Sequence, residues 1–227
     1  LKFWGTTMTE AEWLTATDPT RMLGFLKGEV SDRKVRLLAV ACCRRIWDGL
    51  QDARSRTAVE VAERFADGRA TEGELLAAHE AGYVAVDDCL GFSAFSEDQA
   101  ISAYLAAAAN IDESSEPYDP RGDVVLYSVS YAIDGLIEEV EPKQAALVRE
   151  IIGNPFRPVA IDPSWLSSTA FALAQGIYDD KAFDRLPILA DALQDAGCEN
   201  ADLLNHLRSE GPHVKGCWVL DLILGKS

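Results

Sequence analysis

Basic side chains are almost missing from the middle of this chain. Residues 70–141 carry one, Arg121, against 16 acidic side chains. The flanks are close to balance, with 12 Lys+Arg against 10 Asp+Glu in residues 1–69 and 8 against 11 in residues 142–227. The middle therefore carries nearly all of the formal charge of −16. So acidic a chain is not expected to bind DNA or RNA by neutralising phosphates. Long apolar runs are missing too. The longest, Val214–Leu224, is broken by Lys215, Gly216 and Asp221 and is too short to cross a bilayer. No basic segment followed by an apolar one opens the sequence, so no secretory signal is expected. Met8 is the expected natural start, with residues 1–7 an upstream extension or cloning residues. Five cysteines, two of them adjacent, give no disulfide framework, and a reducing cytoplasm fits them best. No glycine-rich phosphate loop, HExxH, GxSxG or Rossmann fingerprint is present.

What is present reads as helix. Hydrophobic residues make up 48% of the 227, enough for a packed core and against disorder. Thr9 with Glu12, and Thr71 with Glu74, have the spacing of capping boxes. Asp18-Pro19 reads as an N-cap with proline in the first turn, and Gly28 as that helix's stop. Ser31 is expected to cap a central helix with Val35, Leu38, Cys42 and Ile46 on one face. Its Arg33, Arg36, Arg44 and Arg45 should reach outward along their stems. Further helices are expected from Arg54 to Ala66, from Leu75 through Leu90, from Ser96 to Ala109, over Val124–Val140 and over Pro142–Ile152. Three prolines between Asn154 and Pro163 predict an irregular crossing pinned by Phe156, Val159 and Ile161. Beyond it, Asp162 should open a short helix around Trp165, Asp184 should cap Arg185–Ala196, and Asn200 should cap a helix ending at Gly211. Trp13, Trp47, Trp165 and Trp218 are expected as core anchors.

The expected fold is all-α: a single compact domain of about ten helices over residues 8–227, with the proline-rich crossing near 154–163. The one internal boundary the composition offers is the acidic loop 111–122, with its paired prolines and serines.

Chemistry is sparse. Cys198, His206, His213 and Cys217 are the ligand types zinc prefers, spaced Cys-x7-His-x6-His-x3-Cys. His213 and Cys217 can share a helix face, and a helical hairpin can bring Cys198 and His206 to them. The spacing is not that of a common finger. The plainer reading, two core cysteines and two surface or capping histidines, outweighs zinc, so no metal or cofactor is assigned. Cys42 and Cys43 stand before Arg44 and Arg45, but the helical pattern buries both sulfurs, which argues against a nucleophile. Paired acids such as Asp87-Asp88 and Glu138-Glu139 read as solvated faces, and residues 112–123 lack the EF-hand spacing. His79 reads as a satisfied core-edge histidine. Asp221, inside the apolar last helix, should either reach the surface or pair with a base.

Two blocks carry a resemblance. One is Met8-Thr-Glu-Ala-Glu-Trp-Leu with Ser31-Asp-Arg-Lys-Val-Arg-Leu-Leu-Ala-Val-Ala-Cys-Cys-Arg-Arg-Ile-Trp. The other is Asn154-Pro-Phe-Arg-Pro-Val with the segments from Phe183 to Cys198 and from Gly211 to Lys226. Together they resemble a multi-copy family of uncharacterised bacterial proteins. The resemblance covers both ends and little of the acidic middle. It implies no activity and no catalytic residue. The family pattern places a cysteine after the residue matching His206, where this chain has Leu207, which weakens a metal reading through that position.

These readings favour a non-enzymatic protein-interaction or regulatory module whose acidic face, Glu72 to Glu141, contacts a basic protein partner. The alternatives are a zinc-stabilised helical module, a nucleic-acid mimic and an enzyme of unknown reaction.

Overall fold

The computed structural model describes residues 7–26, 29–45, 47–48, 50, 52–89 and 140–226. Among them are ten α-helices, two 3-10 turns and no strand. The expected helix Ser96–Ala109, the acidic loop 111–122, the segment Val124–Glu139 and the stop at Gly28 lie outside the described residues. The chain divides into two compact units: Leu1–Met8 with Ala16–Ala145, and Thr9–Thr15 with Ala146–Ser227.

In the first unit, α2 (Pro19–Phe25) begins as its sequence predicts, with the Asp18 carboxylate accepting from the N–H groups of Thr20 and Arg21. α3 (Asp32–Arg45) is buried on more of its surface than one seam. Leu37, Leu38, Ala39, Val40, Ala41 and Cys43 are buried, while Val35 and Cys42 are half-buried. Arg36 departs from expectation. It is buried, with its guanidinium 4.8 Å from the centre of the Phe65 ring, and desolvation lowers its pKa despite nearby Asp32. The aromatic face replaces water as its neighbour. Burial pushes the Cys42 thiol up to about 12, so it is no nucleophile at neutral pH.

α4 (Ala53–Ala66) is capped by Asp52 and ends before Gly68, whose φ of +68° closes the turn. α5 (Glu72–Cys89) starts at the expected capping box: Thr71 N–H donates to Glu74 Oε2 at 2.7 Å, and Glu74 N–H donates to Thr71 Oγ1 at 3.2 Å. α4 packs on both α3 and α5. His79 is not the satisfied histidine expected, because both ring nitrogens are buried with no hydrogen-bond partner among the described residues. Trp47 is half-buried and packs against the core of this unit, with Arg44 and Arg56 guanidiniums 4.1 and 5.5 Å from its ring centre.

The second unit opens with α1 (Glu10–Thr15), where Thr9 and Glu12 form the other capping box. Trp13 on this helix is fully buried, and its carbonyl accepts from Arg149 Nε at 3.0 Å. α6 (Val140–Ile152), which belongs to this unit from Ala146 onward, stops at Gly153, where φ is +79°. The crossing that follows has no regular structure until Asp162 caps the 3-10 turn Pro163–Trp165, and Val159 and Ile161 pack on the core. α7 (Ser168–Asp180), capped by Ser167, has no counterpart among the expected elements. Its alanine-rich buried face, Ala170 and Ala174 beside Ile177 and Tyr178, gives a weak hydrophobic period.

α8 (Leu186–Asp195) follows a 3-10 turn over Phe183–Arg185. Asp184 lies inside that turn and makes no cap, contrary to expectation. α9 (Ala201–Arg208) is capped by Asn200 and ends at Ser209, short of Gly211. α10 (Trp218–Leu224) is shorter than the apolar run that predicted it, and its Asp221 is buried rather than at the surface. α8 packs on α7 and α9, and α10 packs on the same two helices.

Candidate metal centre

Four elements of the second unit converge on one point. α6 supplies Glu150 from its last turn, on the face that also buries Leu147 and Ile151. His206 comes from the last turn of α9. The connection from Ser209 to Cys217 supplies His213, and Cys217 is the N-cap of α10. That connection is tight. His213 N–H donates to the Gly211 carbonyl at 2.9 Å, Cys217 N–H donates to the Val214 carbonyl at 3.0 Å, and Gly216 has φ +90°. His213 and Cys217 are therefore brought together by a turn, not by one helix face.

The donor atoms of Glu150, His206, His213 and Cys217 all lie within 4.8 Å of one another. His206 Nε2 is 3.2 Å from Cys217 Sγ and 3.2 Å from Glu150 Oε2. His213 Nδ1 is 3.2 Å from Glu150 Oε1. A tetrahedral zinc site with bonds of about 2.0–2.3 Å spaces its ligand atoms about 3.3–3.8 Å apart. The three separations of 3.2 Å are close to such edges, with Glu150 turning a different oxygen to each histidine.

Cys198 does not join them. It is buried in the apolar core with Leu193, Leu203 and Leu207. Its N–H donates to the Leu193 carbonyl at 3.0 Å across Gly197, whose φ is +94°. This is a Schellman stop, in which the residue after the glycine turns its side chain back onto the helix. Glu150, at Cys198's expected place, was not singled out from sequence. It lies more than fifty residues from the nearest histidine, so no local spacing points to it. The available signal was an acid on the apolar face of α6.

Hydrogen bonds around the cluster define each histidine. His213 Nε2 is 3.0 Å from the Ser209 carbonyl, which only accepts, so Nε2 carries a proton. Its Nδ1 then faces the carboxylate. Burial lowers the His213 pKa, but the Glu150 carboxylate outweighs it and the net shift is upward. Burial raises Glu150, yet the bonds from His206 and His213 prevail and hold it below its ordinary value. Glu150 also accepts weakly from Val214 N–H at 3.4 Å.

Cys217 Sγ beside His206 Nε2 has the outline of a thiol–imidazole nucleophile. Burial contradicts that use. Cys217 is fully buried, and desolvation together with the Glu150 charge pushes its thiol well above the ordinary value. Nucleophilic catalysis needs an accessible thiolate in electropositive surroundings. A cation bound among these four groups reverses that logic, because a coordinating thiol is deprotonated by the metal itself. No protein-family model, curated protein or solved structure matches the chain. Among the described residues no helix is long and apolar enough to cross a membrane.

Proposed function

We propose that the C-terminal unit is a zinc-stabilised, non-enzymatic helical module, with Glu150, His206, His213 and Cys217 holding one ion. The observation that carries this reading is the convergence of two imidazoles, a thiol and a carboxylate from four elements within 4.8 Å. Softness and number suit zinc: two nitrogens, one sulfur and one carboxylate oxygen make four donors, a full tetrahedral set. The outer contact of His213 supports it as well, since metal-bound histidines commonly donate their other ring N–H to a carbonyl. One ion here ties α6, α9, α10 and the connection between the last two, in a unit of modest size.

Protein purified without chelator should contain about one zinc per chain, and EDTA should lower its melting temperature. Zinc-free protein that neither takes up the metal nor responds to EDTA would reject the reading.

The charge distribution supports a second element of function. Sixteen acids against Arg121 in residues 70–141 suit contact with a basic protein partner. Binding of the full chain to a basic partner should weaken steeply with salt, and salt-independent binding would count against that contact.

A further inference from the structure

We propose that Trp218 is a positioning residue that sets the tautomer of His206 and thereby opposes loading of the metal site. This rests on the zinc reading above and specifies how the site is regulated.

The indole Nε1 of Trp218 lies 3.1 Å from His206 Nδ1. An indole N–H only donates, so Nδ1 must accept. The proton of the neutral ring then sits on Nε2, the atom facing Cys217 Sγ and Glu150 Oε2. Coordination needs the reverse pattern, with the Nε2 lone pair on the metal and the proton on Nδ1. With Trp218 in place, two N–H groups would point at each other. Loading therefore requires the indole to leave Nδ1, and the buried donor it vacates needs another partner.

The two histidines are thus set oppositely. His213 has an acceptor, the Ser209 carbonyl, behind its ring, so Nε2 keeps its proton while a metal displaces the one that Nδ1 shares with Glu150. His206 has a donor behind its ring. Local structure holds that donor in place. Trp218 is the first residue of α10, next to Cys217, and its ring lies across Gly153. A Cβ at Gly153 would stand 3.1 Å from Trp218 Cγ and Cδ2, so the indole packs closer to this backbone than most side chains allow. The consequence is a site whose zinc affinity is held below what the same ligands would reach without the indole N–H.

The test compares zinc affinity of the full wild-type chain and Trp218→Phe by competition with a chromogenic chelator. Phenylalanine keeps an aromatic ring over Gly153 and removes the N–H. Trp218→Phe should bind zinc about tenfold more tightly, the worth of one buried hydrogen bond and the donor it strands. In the wild type, the Trp218 indole N–H resonance, assigned through its proximity to His206, should move on zinc addition. Equal or weaker binding by folded Trp218→Phe overturns the proposal while leaving the zinc reading intact. Should the variant not fold, the wild-type resonance decides, and an indole unmoved at saturating zinc overturns it. Zinc binding by neither protein rejects the metal reading, and this inference with it.

Discussion

Glu150 Oε1 stands 3.2 Å from His213 Nδ1, on a carboxylate that is only 3% exposed. A charge buried so deeply persists only when it is paired and hydrogen-bonded. Glu150→Gln keeps the shape and removes the charge. Breaking one side of a buried pair costs about 3 kcal/mol, which for a chain of this size lowers the melting temperature by roughly 6–12 °C. Thermal melts in EDTA should show that loss, and elemental analysis should show less zinc in the variant. A melting temperature within about 2 °C of wild type would mean the carboxylate is not paired.

The same pair predicts opposite pH dependences with and without zinc. His213 is raised above its ordinary 6.5, so its contribution to stability is complete below 6.5 and fades as pH rises through the folded value. Glu150 is lowered from 4.5, so its contribution is complete above 4.5 and fades as pH falls through the folded value. In EDTA, the stability advantage of wild type over Glu150→Gln should be greatest between these limits and decline from pH 6.5 to pH 8. Zinc displaces the protons, so in its presence the advantage should grow with pH over that range. Melts of both proteins at three pH values, with zinc and with EDTA, check this. Parallel profiles in the two conditions would exclude a site shared by protons and metal.

The two cysteines of the C-terminal unit should behave differently. Cys217→Ser removes a ligand and should reduce zinc content sharply. Cys198→Ser places a hydroxyl in the apolar core, at a cost of about 1–3 kcal/mol, and should leave zinc stoichiometry unchanged. Elemental analysis of both variants separates them. Zinc loss in Cys198→Ser as well as in Cys217→Ser would restore the ligand set suggested by sequence spacing alone.

Legibility followed locality. The capping boxes at Thr9–Glu12 and Thr71–Glu74 were readable because cap chemistry sits within four residues of itself. So were Asp18, Asp162 and Asn200, each on an N–H two or three residues ahead. α7 was missed because Ala170 and Ala174 make a faint apolar stripe, and its start is marked only by Ser167. At the candidate site, His206, His213 and Cys217 were visible as residue types. Cys198 lies in the core as the plainer reading expects, but a buried cysteine at a helix stop looks the same in sequence as a ligand, so spacing alone could not separate it from Cys217. Glu150 is joined to the others by tertiary packing of α6, which no spacing rule encodes. Arg36 carried a similar trap, since its place over Phe65 depends on a neighbouring helix.

Gly153 gives the last prediction, because two independent constraints meet there. Its φ of +79° is a conformation L side chains rarely adopt, and a Cβ would stand 3.1 Å from the Trp218 ring. Gly153→Ala carries a backbone cost of about 1–2 kcal/mol. The indole must also give by a few tenths of an ångström to admit the methyl group. The variant should therefore melt well below wild type. Moving the indole also disturbs its bond to His206, so the loss of stability should come with a changed zinc affinity. Paired measurements on Gly153→Ala and Trp218→Phe separate the two effects. Backbone strain alone predicts a destabilised Gly153→Ala with wild-type affinity, whereas displacement of the indole shifts affinity in the same direction as Trp218→Phe.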